Sequence, residues 1–170
     1  MTSSESDEVP KGNISGVSVK KLKISKLKPW TTIVLVGKRN SGKTTLMREI
    51  MQLLQPEIGL VFTGTEGSYN SFASIFPEIS IYDGFNEDDL TWLIKIMRRS
   101  VKSPESNPNM GLFKHAVVVI DDLAWDERVM KNKLLERIFN NGRHWHITII
   151  GQHLSMSFQP FKNLGHLQIL

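Results

Sequence analysis

Cysteine is missing from all 170 residues. Its absence removes disulfide frameworks, thiol nucleophiles and cysteine-ligated zinc from consideration. Long apolar runs are missing too. The hydrophobic stretches at 33–36, 117–120 and 147–150 are far too short to cross a bilayer. Residues 1–10 are polar and acidic, without the apolar core of a signal peptide. Neither export nor a membrane partner is expected. A large excess of one charge is also lacking: 21 Lys and Arg stand against 17 Asp and Glu, a net +4. Such a balance permits a nucleic-acid partner without establishing one. What is present, 40% hydrophobic and 22% charged residues, suits a soluble chain with one sizeable core.

Residues 1–12 read as a solvated tail and 13–28 as a basic leading segment. In the latter, Val17, Val19, Leu22 and Ile24 are interleaved with lysines. This spacing predicts one or two amphipathic strands, whose lysines either guard an exposed edge or face nucleic acid. Residues 29–170 read as a single core. Strands are expected at 32–36, 58–62, 79–82, 115–120, 146–151 and 166–170. Helices are expected at 44–54, at 87–102 behind an Asn86 cap, and at 126–140, the last closed by Asn141 and Gly142. Short apolar strands alternating with helices predict an α/β fold, a mostly parallel sheet covered on both faces.

The residues Gly37-Lys38-Arg39-Asn40-Ser41-Gly42-Lys43-Thr44 fit the phosphate-loop pattern G-x-x-x-x-G-K-[ST] at every fixed position. An apolar strand precedes them and a helix follows, as that loop requires. Glycines let the backbone close around a phosphate, and successive amides with the helix N-terminus point at it. Lys43 is then the bridge between β- and γ-phosphates of ATP. The Thr44 hydroxyl becomes a ligand of Mg²⁺, with Thr45 beside it in the nucleotide-binding set. The side chain of Arg39 either helps to hold phosphate or faces water.

A second element, Val117-Val118-Val119-Ile120-Asp121-Asp122, delivers two acids to the end of a buried strand. Ligands of open α/β sheets bind at that edge. Asp121 suits the Mg²⁺ shell and Asp122 suits a general base acting on the attacking water. The run Ile147-Thr148-Ile149-Ile150-Gly151-Gln152 supplies a further strand tipped by a polar amide. It fits the additional strand that some P-loop ATPases place between the phosphate-loop strand and the acidic strand. Gln152 is then poised near the γ-phosphate. Arg143, just before that strand, is expected on the domain rim, from which it would reach the nucleotide of a neighbouring subunit. Asn132-Lys133-Leu134-Leu135 lacks the acid of a guanine-reading motif. Trp30 either stacks on adenine or packs beneath the sheet.

Taken in order, these motifs resemble a known family. The carrying residues are the phosphate loop, Phe62-Thr63-Gly64-Thr65-Glu66 with Asn70, Phe76-Pro77 and Ile81-Tyr82-Asp83-Gly84. Val119-Ile120-Asp121-Asp122, Asn141-Gly142-Arg143-His144 and Ile149-Ile150-Gly151-Gln152 complete the series. The chain is similar to the poxvirus-type genome-packaging ATPases of large cytoplasmic DNA viruses, within the FtsK/HerA superfamily. The similarity runs from about Lys26 to Gln152. It implies a ring-forming motor that uses Mg-ATP to translocate double-stranded DNA into a capsid at assembly sites in the host cytoplasm. A capsid or portal component would be a further partner. Arg143 would act across the subunit interface and Gln152 would couple phosphate state to movement. Family members usually continue past the last core strand, and their Arg-x-Asn-x-Asp pattern is matched only loosely at 161–166. Two alternatives remain at this point: a nucleotide-binding accessory subunit without turnover, and a small-molecule phosphotransferase.

Overall fold

The structure is a computed structural model that describes residues 13–14, 17–18, 23–38, 40–73, 80–102, 113–123, 126–152 and 168–169. A short antiparallel ladder, β1 (Asn13–Ile14) on β2 (Val17–Ser18), comes first. The main sheet contains β3 (Thr32–Leu35), β4 (Ile58–Thr63), β5 (Ser80–Asp83), β6 (Ala116–Asp121), β7 (Ile147–Gln152) and β8 (Gln168–Ile169). Its order is β5-β4-β6-β7-β3-β8, and every neighbouring pair is parallel. The predicted α/β class therefore holds. So does the inserted strand: β7 lies between the phosphate-loop strand β3 and the acidic strand β6.

Burial explains this order. Every residue of β6 and β7 is buried, whereas edge strand β5 is exposed or half-buried throughout. A central parallel strand needs apolar residues on both faces. The period of two then sorts the side chains into two layers. Val34, Leu60, Phe62, Val118, Ile120 and Ile149 meet α3 (Glu87–Lys102) and α5 (Lys133–Asn141) on one face. Ile33, Leu35, Val61, Val117, Val119 and Ile150 meet α1 (Lys43–Leu54) and α2 (Glu66–Ala73) on the other, through Met47, Ile50, Met51 and Phe72.

Several expectations need correction. Ile24–Lys26 forms a 3₁₀ turn instead of continuing a strand, closed by Leu27 N–H donating to the Ile24 carbonyl. The helical spacing of Leu46, Ile50, Leu53 and Leu54 predicts one apolar stripe on α1, yet Leu53 is 46% exposed. The helix expected over 126–140 is two: α4 (Glu127–Met130) and α5, separated because Asn132 is extended and caps α5, accepting from the amides of Leu134 and Leu135. Gly142 is not a left-handed stop. It is right-handed (φ −53°) and starts a 3₁₀ turn, Gly142–Trp145, which ends at the left-handed His146. Close approach explains the glycine there. A Cβ on Gly142 would lie 3.1 Å from the Ile147 carbonyl oxygen and 3.3 Å from Ile138 Cγ2. Residues 103–110, where two prolines and two asparagines predict a loop, and the Phe76-Pro77 stretch lie outside the described residues.

Two stability predictions follow from this packing. Gly142→Ala is expected to lose about 1–3 kcal/mol, as overpacked sites do, and the urea midpoint should fall at unchanged slope. His115 is 8% exposed, and its Nε2 lies 2.9 Å from Thr148 Oγ1. Burial holds its imidazole below the ordinary 6.5, a shift added to by His146 and opposed by the Leu54 carbonyl and Glu57. The folded state thus binds fewer protons than the unfolded chain, so this residue's contribution is complete above the ordinary value and is lost as pH falls below it. Urea titrations at neutral and mildly acidic pH should show a smaller acid-side loss for His115→Gln than for wild type.

Candidate nucleotide-binding site

All strands of a parallel sheet end at the same edge, and the sequence-predicted residues gather there. β3 runs into the loop at 36–42 and the loop into α1. Gly42 makes that junction with φ +83°, a conformation that favours glycine. Leu46 N–H donates to the Gly42 carbonyl as the first bond of α1. The amides of Lys43, Thr44 and Thr45 precede that bond and have no acceptor within the helix. They sit at the positive end of the helix dipole, a setting suited to an anion.

Lys43 is 9% exposed, and its Nζ donates to the carbonyls of Gly37 at 3.0 Å and Lys38 at 2.7 Å. An ammonium has three N–H bonds, so one donor remains beyond these two. Thr44 Oγ1 lies 3.4 Å from Oδ2 of Asp121, a fully buried residue at the end of β6. Two hard oxygens from separate elements thus meet beneath the loop. Mg²⁺ prefers such ligands, few in number, with water and phosphate oxygens completing its shell. Asp122 follows in the left-handed region (φ 55°), which an aspartate tolerates better than most residues. That turn carries the chain off the strand and sets Asp122 in the wall of the cleft.

The cleft holds about 640 Å³ and is lined by Asn40, Ser41, Gly42, Lys43, Thr44, Thr45, Asp122 and Gln152. Gln152 pairs in register with Leu35, and the β6–β7 register continued by one residue sets it level with Asp121. Its side chain is 5% exposed, and Oε1 has no hydrogen-bond partner among the described residues. An acceptor buried in this way costs stability, so its position facing polar chemistry is informative. Arg39 lies outside the described residues.

Sequence reasoning missed one wall. Thr65, Gly67 and Ser68 also line the cleft, at the start of α2. That short helix has a weak apolar stripe, with Phe72 its one buried residue. The available signal was Thr65 as a helix cap behind the β4 tip: its Oγ1 accepts from Ser68 N–H at 3.4 Å.

Trp30 and Arg143 lie away from the cleft. Trp30 precedes β3, at the N-terminal sheet edge, so it cannot stack on a base held in its own cleft. It is 38% exposed and stacks on His146, ring centroids 4.0 Å apart and 8° from parallel. Arg143 also lies at that far edge, in the turn before β7. It is exposed, and its Nε donates to His144 Nε2 at 3.2 Å. The length of β7 separates it from Gln152 by roughly 20 Å.

Residues 19–164 match the family described as Poxvirus A32 protein. The chain is 32% identical over 120 residues to uncharacterized protein 075L of Invertebrate iridescent virus 6, covering 69% of this chain and 44% of that protein. It is 29% identical over 147 residues to uncharacterized protein 015R of Frog virus 3, covering 79% and 44%. The chain therefore spans less than half the length of these curated relatives. Among solved structures, EssC (ATPases 2 and 3) from Geobacillus thermodenitrificans matches with a TM-score of 0.54 at 15% identity, covering 79% of this chain and 30% of that one. Thermomonospora curvata EccC (ATPases 2 and 3), in complex with a signal sequence peptide, matches with 0.54 at 15% identity, covering 92% and 32%. At such identities the likeness establishes the fold, which is that of P-loop ATPase domains.

A stability measurement tests the reading of Gln152. Replacing it by leucine removes the orphaned acceptor while keeping most of the volume. Gln152→Leu is expected to raise the unfolding free energy by about 1 kcal/mol in urea titrations. A clear loss of stability would show that the amide is satisfied and structural.

Proposed function

The chain belongs to the poxvirus A32 protein family, and from that premise we propose that it binds Mg-ATP and hydrolyses it to drive double-stranded DNA into a capsid. The observation that carries the ATPase reading is the meeting of Lys43, Thr44, Asp121, Asp122 and Gln152 at one edge of three adjacent strands. The phosphate-loop amides and Lys43 hold the phosphates. Thr44 and Asp121 would hold Mg²⁺, which when bound neutralises charge on the β- and γ-phosphate oxygens. Asp122 takes the proton of the attacking water, and Gln152 orients that water and reads the presence of the γ-phosphate. Because Arg143 lies at the opposite sheet edge, it serves the nucleotide of a neighbouring copy in a ring. Transport of DNA, a capsid or portal partner and action in the host cytoplasm rest on family membership.

The test is ATP turnover against protein concentration, with and without duplex DNA. Turnover per chain is expected to require magnesium and to rise with both concentration and DNA. Asp122→Asn should abolish turnover yet retain ATP binding. Arg143→Ala should lose on the order of 10³-fold in rate, the usual worth of an arginine supplied in trans. Well-folded protein with no magnesium-dependent affinity for ATP would end the proposal, whereas an unaffected Arg143→Ala would remove only the role across subunits.

A further inference from the structure

On the sheet face opposite α1, α3 and α5 border a groove of about 310 Å³ with an unusual lining. Five of its residues are cations: Lys95, Arg98, Arg99 and Lys102 from α3, and Arg137 from α5. All five are exposed, and among the described residues no acidic one lines the groove. Among the described residues none of the five forms an ion pair; the one salt bridge there joins Arg128 to Asp126.

Helix electrostatics account for part of this charge. Arg99 and Lys102 lie in the last turn of α3, where cations favour the negative end of the dipole. Lys95, Arg98 and Arg137 gain nothing from that term. Lys95, Arg98, Arg99 and Lys102 instead crowd one another at helical spacings of three and four, where like charges destabilise. A second device holds the guanidinium groups together. Arg98 of α3 and Arg137 of α5 both approach the ring of Trp145, with Cζ 5.5 Å and 5.9 Å from its centroid. The indole thus draws one arginine from each helix to a shared point by cation–π attraction, leaving their remaining N–H donors for a ligand.

Along α3 the cations extend from residue 95 to 102, about 10 Å at the helical rise. With Arg137 they form a broad positive surface that suits a row of phosphates better than one small anion. We infer that this groove grips the phosphodiester backbone of duplex DNA. The inference rests on the DNA-translocation reading above and names the surface that would carry it. It also separates grip from chemistry, since no residue of the groove lines the nucleotide cleft.

The experiment uses the full chain and a fluorescein-labelled duplex of mixed sequence, with binding followed by anisotropy over a series of salt concentrations. In the variant R98Q/R99Q/K102Q/R137Q affinity at low salt is expected to fall at least about tenfold. The slope of log K against log salt should become shallower by about 2–4, one phosphate contact being worth close to one. DNA-independent ATP turnover and self-association, the latter measured by sedimentation velocity, should match wild type. R98K/R137K keeps the charges and should keep most of the affinity, which guards against a folding artefact. Wild-type and neutralised proteins with equal affinity and equal slope would overturn the groove assignment alone. Loss of self-association in the neutralised variant would overturn it in favour of a contact between copies of the chain. A wild type that binds no duplex at low salt would overturn the DNA-translocation reading and this inference with it.

Discussion

The hydrogen-bond ladder of β7 between β3 and β6 is the constraint on which the site depends. Neighbouring strands lie about 4.8 Å apart, so three adjacent parallel strands bring three chain ends within about 10 Å of one another. Here those ends are the phosphate loop, Gln152 and the Asp121-Asp122 pair. Without β7 in that place, the lysine of the loop and the acids of β6 would still share an edge, but no amide would stand between them. The order is enforced by burial and not by the polar residues themselves. Strands apolar on both faces suit the centre, and β6 and β7 are both buried at every residue. Function at the edge is thus fixed by hydrophobic packing one or two residues further down each strand.

Polar groups in the core show which edge is used. At the N-terminal edge the buried polar residues are mutually satisfied: Thr148 Oγ1 accepts from the Trp30 amide and meets His115 Nε2. At the C-terminal edge a lysine is buried on loop carbonyls, an aspartate is fully buried beside a threonine, and the Gln152 carbonyl is unsatisfied among the described residues. Each such group costs stability unless it is completed. The polar occupants of these positions suit a charged ligand.

Much of this was legible beforehand, for identifiable reasons. The phosphate loop combines a covalent pattern with local strand and helix signals. The two acids end a short run of β-branched residues, whose length and composition favour a buried strand. The place of β7 was legible because its apolar run ends in a polar tip at the right point of the chain order. Harder to read were features set by tertiary competition. The break between α4 and α5 comes from Asn132, whose side chain competes for backbone amides inside a pattern that is otherwise helical. The role of Gly142 depends on how closely the turn approaches the start of β7, which no local pattern records. The α2 wall of the cleft escaped notice because a single buried phenylalanine makes no periodic stripe.

Charge is partitioned along the same axis as chemistry. α3 begins with Glu87, Asp88 and Asp89 at the nucleotide edge and ends with Arg99 and Lys102 at the opposite one. Arg143 and Trp145 share that second edge, in the turn that precedes β7. A parallel sheet cannot fold back to bring its two edges together, so no motion within one core sets Arg143 over its own cleft. If the arginine serves catalysis, the nucleotide edge of one copy must face the turn that carries Arg143 in the next. That arrangement is heterologous, and it gives a ring only where the rotation between copies closes. The same geometry divides labour on the proposed reading. Triphosphate is held where strands end, and the longer polyanion lies against the α3–α5 face, the two joined through β7 and the turn that carries Arg143.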